Sequence, residues 1–218
     1  NDFRFRHFSV EDGLSSNSVR AIMQDKYGFL WIGTEEGLNR YDGIMIKSYS
    51  ICPQAAGKYI SSLYGTKKNI WIGTDEGIYI YAYATETFTY FDLTTPNNVR
   101  ITSIVNHILQ DKDGNLWFST NGQGLFRYNL SKNYLEQYEF TSAFGIVAST
   151  MADSDNQIWA LTNQGESGVY KLNKAENKFE PFGLLYNAGN HHSQALAMLE
   201  DSEQTLWLRT WECGLQKI

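Results

Sequence analysis

The chain has 218 residues and a formal charge of −6, with 42% hydrophobic and 15% aromatic residues. That is enough apolar material for a buried core, which excludes a disordered chain, and the acidic balance argues against nucleic-acid recognition through a basic face. No run approaches the roughly 18 uninterrupted apolar residues of a membrane helix, and Asn1-Asp2-Phe3-Arg4 has no apolar run behind it, so the start reads as mature or trimmed.

Taken in chain order, Phe3-Arg4-Phe5-Arg6-His7-Phe8, within a segment 1–9, has the look of an outer strand without a blade of its own. Ser18–Gln24 follows as an inner strand. A tight turn comes next, where Asp25 can cap its own backbone and Gly28 can take positive φ. Leu30, Ile32 and Thr34 then alternate with Trp31 and Gly33, the period of a strand. A glycine-bearing turn opens a third strand, Leu38–Asp42, and Ile44–Tyr49 closes the unit as an aromatic outer strand. The same succession recurs, with Ile104–Gln110 as another inner strand and Lys178–Phe182 as another outer one. No stretch shows a sustained helical period, so the chain is expected to be all-β.

The recurrence is marked by Trp31, Trp71, Trp117, Trp159 and Trp207, spaced 40, 46, 42 and 48 residues apart, near the length of a four-stranded propeller blade. Each lies in a variant of one phrase, from Leu30-Trp31-Ile32-Gly33-Thr34 and Ile70-Trp71-Ile72-Gly73-Thr74 to Leu116-Trp117-Phe118-Ser119-Thr120. In the fourth and fifth units Ala160-Leu161 and Leu208-Arg209 replace Ile-Gly. The expected fold is a β-propeller of four-stranded antiparallel blades over residues 1–218, with five repeats. The fifth unit stops after its third strand, so segment 1–9 could complete it and remove an exposed edge. A self-closed five-blade ring and a larger ring of seven blades both satisfy this count.

Gly13-Leu14-Ser15-Ser16-Asn17-Ser18-Val19, Gln24-Asp25, Leu30-Trp31-Ile32-Gly33-Thr34 and Gly37-Leu38-Asn39-Arg40-Tyr41-Asp42-Gly43 together resemble the two-component regulator propeller repeat. The resemblance covers essentially the whole chain and is closest in the first and third units. It implies the N-terminal sensor region of a bacterial hybrid two-component system, on the periplasmic or extracellular face of an inner-membrane protein. It also implies a small-molecule or oligosaccharide ligand, a neighbouring propeller and β-sandwich in the same chain, and a homodimer of the full-length sensor. The histidine kinase and transcriptional modules of such systems lie outside these residues.

Most of the chemistry-bearing residues have a structural role that accounts for them. The turns Asp25-Lys26-Tyr27-Gly28 and Asp111-Lys112-Asp113-Gly114-Asn115 resemble the start of a calcium loop but lack the distal Glu, and read as hairpins. The pairs Glu35-Glu36 and Asp75-Glu76 read as solvated turn acids rather than a glycosidase pair. His7 and His107 sit in strand patterns, and Cys52 and Cys213 read as unpaired thiols. The repeat tryptophans are assigned to packing between blades. Ligand contacts are expected where the repeat breaks: Asn190, His191 and His192 in one polar loop, and Arg209, Trp211 and Glu212 in another. No catalytic residue, metal or cofactor is expected. A protein-interaction scaffold and, further off, a propeller lyase or glycosidase are the competing readings.

Overall fold

In the computed structural model, residues 5–51, 58–140, 145–162, 168–182, 195–211 and 214–218 are described. They form antiparallel sheets with only a short 3-10 turn, Val10–Asp12, outside the strands. Two compact units are present, Asn1–Phe91 and Asp92–Ile218.

The first unit holds two four-stranded blades. Blade one is β1 (Val19–Gln24), β2 (Leu30–Thr34), β3 (Gly37–Tyr41) and β4 (Ile46–Tyr49); blade two is β5 (Ile60–Gly65), β6 (Asn69–Thr74), β7 (Gly77–Ala82) and β8 (Thr87–Tyr90). In each, neighbours in sequence are neighbours in the sheet, the order that short hairpin connections enforce. The face of β2 that carries Trp31 and Gly33 meets blade two. The Trp31 ring stands 5.0 Å from Tyr81, and both belong to one buried cluster with Leu38, Ile60, Ile70 and Ile72. Gly33 is required by this approach: a Cβ there would lie 2.5 Å from Ile60 Cγ2.

The second unit holds blade three, β9 (Val105–Gln110), β10 (Leu116–Thr120), β11 (Leu125–Asn129) and β12 (Tyr134–Tyr138). Blade four is β13 (Val147–Ala152), β14 (Ile158–Thr162), β15 (Val169–Asn173) and β16 (Lys178–Pro181). Blade five has three strands, β17 (Ala195–Glu200), β18 (Leu206–Thr210) and β19 (Gly214–Lys217). Trp117 packs across to blade four, 6.1 Å from Phe179, and Trp159 shares a cluster with Ala195 and Leu208 of blade five. Tryptophan packing against the next blade is therefore seen at Trp31, Trp117 and Trp159. All five inner strands carry a register break at the same place, between Val19/Ala21, Ile60/Ser62, Val105/His107, Val147/Ser149 and Ala195/Ala197. The break bends the strand locally and left no mark in the hydrophobic pattern.

Residues 5–8 form no strand; Phe8 lies 4.8 Å from the Tyr41 ring, and Arg6 Nη1 donates to the Tyr41 hydroxyl at 3.1 Å. A segment becomes a strand only when an edge pairs with its backbone groups. Residues 1–4, Cys52 and Cys213 lie outside the described residues.

Candidate functional site

The repeat phrase explains itself once its hydrogen bonds are traced. Asp25 Oδ1 accepts the backbone N–H groups of Tyr27 and Phe29, and Asp25 Oδ2 accepts the Trp31 indole N–H at 2.8 Å. The same carboxylate-to-indole bond joins Asp111 to Trp117, Asp153 to Trp159 and Asp201 to Trp207, at 2.7–2.8 Å. Each aspartate thus ties the turn before the second strand to the repeat tryptophan, and at Trp31, Trp117 and Trp159 that ring packs against the next blade. Its oxygens are spent on the protein's own donors, which is why these turns make poor cation sites. For Asp201, the indole bond from Trp207 and the backbone bonds from Thr205 and Glu203 hold the carboxyl below its ordinary range.

The turn also requires positive φ at one position. Gly28 (φ 89°) and Gly114 (φ 83°) supply it freely, whereas Asn156 (φ 59°) and Gln204 (φ 63°) adopt it with a side chain. The threonine ending the phrase is equally structural: Thr34, Thr74 and Thr120 donate to the carbonyls of Gly37, Gly77 and Gly124.

One carboxylate of each acidic pair considered above is also engaged. Glu35 pairs with Arg20, whose hydrogen bond lowers the Glu35 pKa, the opposite of what a general acid needs. Glu76 pairs with Lys58, whose side chain is only 8% exposed. His107, on β9, lies opposite Ser119 in register. Its Nδ1 faces the Thr150 N–H at 3.5 Å, and Ser119 Oγ lies 2.6 Å from Thr150 Oγ1. No carboxylate hydrogen-bonds to His107 among the described residues, so this trio lacks the orienting acid of a nucleophile-activating set.

Burial holds the His107 pKa below its ordinary value of 6.5. The unfolded chain therefore takes up a proton as pH falls through that value while the folded chain does not, so stability falls with it. The denaturation midpoint is expected to drop between about pH 7.5 and about pH 5.5, and His107→Gln is expected to flatten that slope. An unchanged slope in the variant would refute the assignment.

Of the residues expected to contact ligand, Asn190, His191, His192 and Glu212 lie outside the described residues. Arg209 is exposed on β18, two positions beyond Trp207, in the slot that Gly33 fills in blade one and Ser119 in blade three. Trp211 follows the strand with 72% of its surface exposed. An indole held that far out of the core presents a face to solvent, as a stacking platform must.

A second concavity lies wholly inside the first unit and was not anticipated from sequence. It is a cleft of about 230 Å³ lined by Asp25, Tyr27, Phe29, Trp31, Arg40, Tyr81, Tyr83 and Glu86. Arg40 Cζ sits 4.5 Å from the Phe29 ring centroid, 5.5 Å from Tyr49 and 5.7 Å from Trp31. Lys26 Nζ stands 4.7 Å from the rings of both Tyr27 and Tyr83 and donates to the Lys67 carbonyl. The Arg40 Nε and the Tyr83 hydroxyl are both buried without a hydrogen-bond partner among the described residues. Burial, with Asp25 adding to it, pushes the Tyr83 hydroxyl up to about 12. The alternation of Arg40 and Tyr41 shows no such pocket, because its walls come from residues up to 61 positions apart in sequence.

The two-component regulator propeller family matches residues 13–36 and 98–122, stretches that hold the turn, tryptophan and threonine geometry of blades one and three. These two stretches match two-component regulator propeller repeats. A stretch of 53 residues is 49% identical to histidine kinase P4 of Formosa agariphila, covering 24% of this chain and 4% of that protein. The propeller repeats share their fold with the extracellular domain of the hybrid two-component system BT4673 from B. thetaiotaomicron (TM-score 0.74, 20% identity, 93% of this chain and 31% of the other). The extracellular domain of BT3049 from the same organism superposes with TM-score 0.54 at 23% identity, over 98% of this chain and 35% of the other. Streptogramin B lyase does so with TM-score 0.68 at 18% identity, over 94% and 70%. At these identities the likeness is one of fold. The propeller repeats here span about a third of the two extracellular domains and a small fraction of the kinase.

Proposed function

We propose that this propeller segment is the ligand-sensing part of a hybrid two-component system, lying outside the cytoplasm and controlling a histidine kinase. The observation that carries the reading is the family match in two separate repeats, one in each unit. The sequence identity to a histidine kinase and the fold shared with two extracellular domains of such systems support it. A ligand acts here by differential affinity: the arrangement it fits better gains population, and that shift is passed to the rest of the chain.

The ligand proposed is an oligosaccharide, held by Asn190, His191, His192, Arg209, Trp211 and Glu212. An exposed indole two residues from an exposed arginine suits sugar chemistry, since the ring stacks on C–H faces and the guanidinium donates to hydroxyls. The segment is proposed to bind without turning its ligand over, since Glu35, Glu76 and the turn aspartates are engaged by the protein's own donors and no carboxylate orients His107 among the described residues.

Calorimetry of the full extracellular region against an oligosaccharide panel tests this. Binding without turnover, weakened about tenfold or more by Trp211→Ala, is the expected result. No binding to any glycan removes the carbohydrate part, and turnover of a glycan overturns the non-enzymatic part.

A further inference from the structure

A cation recurs opposite the repeat tryptophan. Arg40 pairs across the sheet with Trp31, Arg127 with Trp117, Lys171 with Trp159 and Lys217 with Trp207; only Ile80, opposite Trp71, departs from this. The next strand out decides what becomes of that charge. In blade three the residue opposite Arg127 is Glu136, and the two form an ion pair at 2.6 Å. In blade four the residue opposite Lys171 is Glu180. In blade one the residue opposite Arg40 is Lys47.

Like charges directly opposite each other on a sheet oppose folding, and a partly buried guanidinium wants an anion within hydrogen-bonding reach. Among the described residues neither Arg40 nor Lys47 forms an ion pair, and both rest on the Tyr49 ring. Of the nearby carboxylates, Asp25 accepts the indole and its turn, and Asp42 Oδ1 accepts the backbone N–H groups of Ile44 and Met45. Glu86 also lines the cleft but pairs with neither cation among the described residues. The cleft beside Arg40 adds the buried Tyr83 hydroxyl and walls of Tyr27, Phe29 and Tyr81.

We propose that this cleft of the first unit is an oxyanion subsite, where Arg40, backed by Lys47, receives a carboxylate or sulfate group. The ligand's ring would lie against the aromatic wall, with the Tyr83 hydroxyl donating to it. The external anion takes the place that Glu136 occupies in blade three. Two cations of an otherwise acidic chain then serve recognition, at a place distinct from Arg209 and Trp211. The inference stands on the geometry of the first unit and does not depend on the sensing role.

The test is a titration of the intact, nitrogen-15-labelled protein with a uronate disaccharide, a sulfated disaccharide, inorganic sulfate and a neutral disaccharide. The Trp31 indole resonance is followed, since Trp31 lines the cleft. The two acidic disaccharides are expected to shift it more than inorganic sulfate, and the neutral sugar to leave it unmoved. Arg40→Gln is expected to weaken binding by roughly ten- to hundredfold. Lys47→Glu rebuilds the pair seen at Arg127 and Glu136; it is expected to raise the melting temperature and to abolish binding, which keeps the test valid should Arg40→Gln fold poorly. Absence of any shift with all anionic probes at millimolar concentration overturns the proposal, as does undiminished binding by Lys47→Glu. Equal response to inorganic sulfate and the disaccharides overturns the role of the aromatic wall.

Discussion

Trp117→Ala is expected to lower the unfolding free energy of the second unit by about 3–5 kcal/mol. The ring is 1% exposed, lies 5.7 Å from Tyr138 and 6.1 Å from Phe179, and has the Arg127 Cζ 5.6 Å from its centroid. Removing it leaves a cavity between blades three and four that β-strands bonded on both sides cannot collapse to fill. It also takes away one of the two donors on Asp111 Oδ2, which keeps the Asn115 side-chain amide, while Oδ1 still holds the Asn115 backbone N–H. Asp111→Ala isolates that polar part and is expected to cost about 1–3 kcal/mol, because the Trp117 and Asn115 donors would be left buried and unmatched. Trp207→Ala, at a ring only partly buried, should cost clearly less than Trp117→Ala. Urea denaturation followed by far-ultraviolet circular dichroism measures all three. A loss below about 1 kcal/mol for Trp117→Ala would show that the ring is not a joint between blades.

The second large effect is a rescue. The position two residues beyond the tryptophan is Gly33 in blade one, Ser119 in blade three and Leu161 in blade four. Its size follows what the neighbouring inner strand presents. Gly33 faces Ile60, Ser119 Oγ meets Thr150 Oγ1 at 2.6 Å, and Leu161 shares a cluster with Ala195. Gly33→Leu alone is expected to be strongly destabilising, by about 1–3 kcal/mol or more, because a Cβ there already overlaps Ile60. Ile60→Ala alone should cost about 2–5 kcal/mol. The double variant copies the Leu161–Ala195 pairing and should be more stable than either single one. A double-mutant cycle decides it: additive losses would mean that the two sites do not fill one shared volume.

That series recasts the weakening of the repeat towards its end. Replacement of Ile-Gly by Ala160-Leu161 reads in sequence as drift from a consensus. In the structure Ala160 and Leu161 are both fully buried and point to different neighbours, Ala160 to the cluster with Trp117 and Leu161 to the cluster with Ala195. Size has been exchanged across an interface, which one position viewed alone cannot reveal. The partners of Glu35 and Glu76 in the second turns were not legible in sequence: Arg20 and Lys58 come from the preceding inner segments, 15 and 18 residues away.

What the sequence by itself determined was the unit. Strand period, turn residues and the spacing of Trp31, Trp71, Trp117, Trp159 and Trp207 define blades whose boundaries fall within about two residues of those observed for Ser18–Gln24, Leu38–Asp42 and Ile44–Tyr49. These signals are local, since alternation and positive φ act over a few residues. The tertiary structure alone decided which donors occupy the aspartates, where Gly33 must stay small, and that Arg40 meets Lys47 where Arg127 meets Glu136. Those facts depend on register between strands and on packing between blades. Such contacts join residues that the chain separates, and no pattern along it encodes them one at a time.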